Sequence, residues 1–248
     1  MPYINPGQNA EWLEAGNTLP EAALAQIPVS LQGAIAQGNR GFFADLEKDF
    51  PKTFAALVDA APVQLLHLTV ERFSLMGNGG EDHLFYWVVQ MEDKALEIQV
   101  PNREPDSETR RKYHLKFLDA LPPALHCFYL RTDGMGVTPD YGQPGGDFPM
   151  RFSDWVSIMD FARDRGLDSL AVQDAAEALG LVDGHVCSVL QGGAVLAVDM
   201  AGKPGRLAFL DPAEPTRSAA IDNVAAALDG YLSRVLQLPW GQVDWRGD

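Results

Sequence analysis

The chain has 248 residues, 46% of them hydrophobic, with 12 Phe and 5 Trp. That is enough apolar material for a real core and excludes a disordered polypeptide. A formal net charge of −15 disfavours nucleic-acid phosphates and anionic lipid as partners and favours basic ones. The charge is uneven: 13 acids against 5 bases over residues 1–100, 7 against 6 over 101–150, and 14 against 8 over 151–248.

No apolar run approaches the length of a membrane span, and MPYINPGQNAEW lacks the basic-then-apolar pattern of a signal peptide. The expectation is a cytoplasmic protein. Its two cysteines, Cys127 and Cys187, are read as buried thiols rather than as a disulfide.

In chain order, the first sixty residues read as helical. Thr18 can cap a helix that begins at Leu19-Pro20-Glu21, with Leu24, Ile27, Leu31 and Ile35 at helical spacing and Pro28 kinking or splitting the run. Phe42, Phe43, Leu46 and Phe50 form a second apolar stripe, and Phe54, Leu57 and Val58 a third. The pattern then turns β-like over residues 63–76 and 83–100. Asn78-Gly79 offers the turn between these runs, and no Gly-Lys-Ser/Thr follows to suggest phosphate binding. Residues 102–108 are polar and mark a boundary. Ser107 can cap the next helix, whose Arg110, Arg111, Lys112 and Lys116 form the one basic cluster, read as a solvated face.

LPPALHCFYLRTDG, from Leu121 to Gly134, reads as a short helix. Pro122 and Pro123 fit its first turn, and Leu121, Leu125, Phe128 and Tyr129 line one face. A long Pro/Gly loop follows, then a helix expected to be capped by Ser153, with Trp155, Ile158, Met159 and Phe161 available for burial. A second helix should end at Gly180. HVCSVLQ, AVLAVDM and RLAFLDP read as strands, with turns at Gly192-Gly193 and residues 201–205. The last helix places Ile221, Val224, Leu228, Leu232, Val235 and Leu236 on one face. No internal repeat is apparent.

Chemistry is sparse. The five histidines, His67, His83, His114, His126 and His185, are scattered, and none has a second His or Cys at metal-site spacing. No Gly-x-Ser-x-Gly, Walker or Rossmann pattern occurs. Asp133, Asp199 and Asp211 stand beside Gly or Pro or close to them, where aspartate ordinarily makes turns.

From residue 107 on, the order of features resembles the SMI1/KNR4-like (SUKH) superfamily. LPPALHCFYLRTDG stands for its Leu-Pro to Asn-Gly segment, with Asp133 where Asn is commoner. GGAVLAVDMAGKPGRLAFLD stands for its strand pattern, and AIDNVAAALDGYLSRVL for its final helix. The resemblance implies an α+β fold, an antiparallel sheet covered by helices on one side, over residues 105–248. Residues 1–104, helices plus a β-hairpin, have no counterpart in it; they would extend the same sheet or form a separate domain.

It further implies an immunity protein that binds and neutralises a cognate secreted toxin delivered by a type VI or contact-dependent system. Such a protein has no catalytic residues, cofactor or metal to carry over. A scaffold or regulatory module is the alternative. The partner would be a basic protein rather than nucleic acid or membrane. The exposed polar loop makes Asp140, Tyr141, Asp147 and Trp155 the candidate contacts, with burial in the core the other reading of Trp155.

Overall fold

The computed structural model describes residues 8–13, 21–25, 27, 29, 32–33, 43–59, 63–72, 80–100, 121–129, 135–139, 146–147, 155–202 and 204–246. The expected cap at Thr18, the turn at Asn78-Gly79, the basic helix after Ser107, Asp133-Gly134 and Ser153 lie outside the described residues. Among the described residues no helix is long and apolar enough to cross a membrane.

The fold is α+β, built on an antiparallel sheet. Its strands are β1 (Gln8–Leu13), β2 (Val63–Arg72), β3 (Gly80–Gln90), β4 (Lys94–Gln99), β5 (Met135–Pro139), β6 (Gly146–Asp147), β7 (Val156–Ser157), β8 (Gly184–Val189), β9 (Val195–Asp199), β10 (Leu207–Leu210) and β11 (Ala219–Ala220). The helices are α1 (Glu21–Leu24), α2 (Pro51–Asp59), α3 (Pro123–Tyr129), α4 (Ile158–Asp164), α5 (Ser169–Ala178) and α6 (Val224–Gln237). The strand order is β1-β2-β3-β4-β5-β6-β8-β9-β10-β11, with β7 pairing beside β8. Strands from residues 1–104 and from 105–248 thus lie in one sheet, joined where Leu96 of β4 faces Val137 of β5.

Side chains alternate across a strand, so each strand divides its apolar residues between two faces. On one face Phe85, Trp87 and Val89 of β3, Leu96 and Ile98 of β4, Leu196 and Val198 of β9 and Leu207 and Phe209 of β10 form the principal core. Phe43, Leu46 and Phe50, then Phe54 and Leu57 of α2, Leu125 and Tyr129 of α3, and Leu228, Tyr231 and Leu232 of α6 close over it. On the other face Val186, Val195, Ala197, Ala208 and Leu210 meet Ile158, Phe161 and Ala162 of α4 and Val172 and Ala176 of α5. Leu66, Leu68, Val88 and Ala95 form a smaller buried group. Helices therefore cover both faces, not the one face expected. The all-apolar runs of β9 and β10 require it, because a strand with water on one side needs polar alternate residues.

Two further expectations are corrected. Residues 8–13 are extended, not helical, and Gln8 to Leu13 pair in register with Val70 to Leu65 of the neighbouring strand. The chain also stays extended past residue 155, since Val156 and Ser157 pair with Val186 and His185. Helix α4 accordingly starts at Ile158, and its cap is Ser157, whose oxygen accepts from Asp160 N at 3.1 Å. Asp168 caps α5 and Asn223 caps α6 in the same way. Helices α4 and α5 end in matching motifs, each with a left-handed glycine, Gly166 (φ 68°) and Gly180 (φ 81°). The next residue then donates five positions back, Leu167 N to Ala162 O and Leu181 N to Ala176 O.

A helix followed by a three-strand meander recurs in the topology: α2-β2-β3-β4 early, α5-β8-β9-β10 late, with the two helices on opposite faces. The second unit is tightly fitted. A Cβ on Gly184 would lie 2.3 Å from Ile158 Cδ1 and 3.4 Å from Leu181 Cβ, both in the buried layer under α4. Gly184→Val should therefore lower stability by about 1–3 kcal/mol through overpacking, read from urea unfolding midpoints. An unchanged midpoint would show that Ile158 can turn aside freely.

Candidate functional site

Of the four candidate contacts, Asp140 and Tyr141 lie outside the described residues. Asp147 is placed by its backbone in β6, between Gly136 of β5 and Val189 of β8. Of its two readings, Trp155 takes the core one, not that of an exposed contact. It is 8% exposed, its indole N–H donates to the Tyr129 hydroxyl at 3.3 Å, and the two rings meet edge to face with centroids 6.0 Å apart. A large ring with one polar edge is best buried where that edge finds an acceptor, and Tyr129 of α3 supplies it.

Of the aspartates read as turn residues, Asp199 and Asp211 hold backbone N–H groups. Asp199 Oδ1 accepts from Asp183 N at 2.9 Å and from Ala201 N at 3.2 Å, closing the β9–β10 turn onto the approach to β8. Asp211 Oδ1 accepts from Glu214 N at 3.0 Å. His67 is buried and stacks flat on Phe85, with centroids 4.8 Å apart.

One grouping escaped the sequence. Ser157 is the cross-strand partner of His185, whose Nδ1 lies 3.2 Å from Asp183 O and 3.5 Å from Asp183 Oδ1. A nucleophilic serine would need its hydroxyl on the imidazole. Here the hydroxyl donates to Asp160 Oδ2 at 2.7 Å while accepting from Asp160 N. The hydroxyl thus caps the helix through the Asp160 N–H and is itself held by the Asp160 carboxylate. The Ser157 hydrogen bond, with help from Arg163, holds the Asp160 carboxyl below the usual carboxylate range against the smaller effect of burial. The signal for it was S-x-x-D at residues 157–160, hidden by the assignment of the cap to Ser153. Among the described residues no three His, Cys, Asp or Glu side chains converge as metal ligands.

Cys187 lies fully inside β8, its thiol donating to Leu196 O at 3.4 Å, and burial pushes its pKa far up. The thiolate is the reactive form. Iodoacetamide at neutral pH should therefore leave Cys187 unmodified in the folded protein and alkylate it in urea, as mapped on its peptide by mass spectrometry. Rapid native labelling would contradict that burial.

What the structure does gather is charge. The outer surface of α4, α5 and the turn after them exposes Asp160, Asp164, Asp168, Asp174, Glu177 and Asp183 against Arg163 and Arg165. Arg163 is engaged with Asp160 at 2.5 Å, and the Arg165 guanidinium lies 4.5 Å from the Phe161 ring centre. Arg163 offsets Asp160, Arg165 keeps its charge beside the ring, and Arg206 lies near Gly180 at the end of α5, so the acids are in excess on this surface without being alone. Leu170 and Val182, 68% and 74% exposed, stand among these acids. The spacing is helical: Asp160 and Asp164 are four residues apart on α4, and Asp174 and Glu177 three apart on α5, so each pair shares a face.

No family profile, no curated protein and no solved structure matches this chain.

Proposed function

We propose that the chain is an immunity protein that binds a basic toxin and neutralises it by covering its working surface. The observation that supports this reading is the acidic exterior of α4 and α5, carried on a rigid two-helix layer packed against the sheet. Its carboxylates would draw in a cationic partner and orient it, which is how surface charge raises association rates. Leu170 and Val182 would supply apolar contact inside the charged rim. The reading also rests on the resemblance of the sequence from residue 107 on to the SUKH-like superfamily. The action is binding, without chemistry on the partner.

The test begins with co-expression beside the neighbouring genes, to find a product that arrests growth alone and is silenced by this chain. Reversing Asp164, Asp174 and Glu177 to Lys should then slow association with that product at least tenfold at low salt, and flatten its salt dependence. Dissociation should change less. If the triple variant protects and associates like the wild type, the α4–α5 surface is not the interface. Binding without rescue of growth would favour a scaffold module.

A further inference from the structure

We draw no further inference here: the strongest candidate, the Ser157–Asp160–Asp183–His185 side-chain cluster where β7 pairs with β8, is already committed to capping α4, the serine hydroxyl donating to Asp160 rather than to the histidine.

Discussion

Asp229→Ala should destabilise the protein by about 2–4 kcal/mol, the cost of orphaning two backbone donors at a helix start, one of them buried. Asp229 sits in α6 but serves α2. Its Oδ2 accepts from Lys52 N at 3.1 Å and its Oδ1 from Thr53 N at 2.8 Å. The first residue of α2 is Pro51, which has no N–H to satisfy, so one carboxylate meets the next two donors in line. Thr53 returns the contact, its hydroxyl donating to Asp229 O at 3.3 Å.

The side chain is only 4% exposed, a burial that would be costly for an unpartnered carboxylate. The positive end of the α2 dipole and the two N–H groups offset that cost. Alanine removes the charge but leaves both donors without an acceptor. Asparagine keeps one acceptor and turns an NH2 toward the second donor, so Asp229→Asn should lose about half as much. Urea unfolding gives both values. Hydrogen exchange adds the location, with amides of α2 exchanging faster in the variants than those of β8–β10. A loss under about 0.5 kcal/mol for alanine would mean that water replaces the carboxylate, contrary to its burial.

How far the chain could be read in advance follows from where each signal lies. Helices α2, α3, α5 and α6 were legible because their apolar spacing and their punctuation by Pro, Gly and Asp are local. So were the runs that became β2–β4 and β8–β10. The extension at residues 8–13 was not legible, since nothing in QNAEWL favours a strand until its ladder with β2 exists. Helix α4 was misplaced because its cap was read at Ser153, while the pairing of Val156 with Val186, thirty positions away, keeps the chain extended up to Ser157.

The second helical layer could have been inferred. VLAV and LAFL are apolar at every position, and such strands need cover on both sides. The two-faced burial then explains the charge. With their inner stripes on the sheet, α4 and α5 turn mostly charged residues, more acids than bases, to solvent. Asp229 was invisible as a cap because its partner helix begins more than 170 residues earlier in the chain, and an aspartate inside a helix otherwise looks like a solvated residue. The same distance effect hid the acceptor of Trp155, Tyr129, which lies beyond the long loop.

Lys94→Met should cost about 2 kcal/mol near neutral pH, with a gap from the wild type that narrows in acid. Lys94 is 2% exposed, and its ammonium donates to Leu238 O, the carbonyl of the residue that ends α6. A cation at a helix C-terminus is favoured by the dipole. Its neighbour Asp93 pairs with it at 3.4 Å and accepts from Trp240 N with its other oxygen. The β3–β4 turn therefore grips the start of the tail, whose Trp240, Val243 and Trp245 are buried in the principal core. Methionine keeps the length of the stem and removes only the charge and the donors. The loss stays below the 3–5 kcal/mol of a fully buried broken pair because Asp93 is 38% exposed and keeps water.

The pH dependence has a definite sign. Partial burial raises the Asp93 carboxyl, but the Trp240 N–H and the Lys94 charge outweigh it and hold the pKa below the ordinary 3.8. A carboxylate depressed in the folded state adds stability above its unfolded pKa and loses it as pH falls through the folded value. The ionic part of the Lys94 contribution should therefore be whole at pH 6 and fade below about pH 4, while the bond to Leu238 O persists. Asp244, brought down to about 2 chiefly by its hydrogen bonds with Arg246, titrates in both proteins and cancels from the comparison. Unfolding midpoints at pH 6 and pH 2.5 for wild type and variant decide the matter. A gap that stays constant would assign the whole effect to the helix end and none to Asp93.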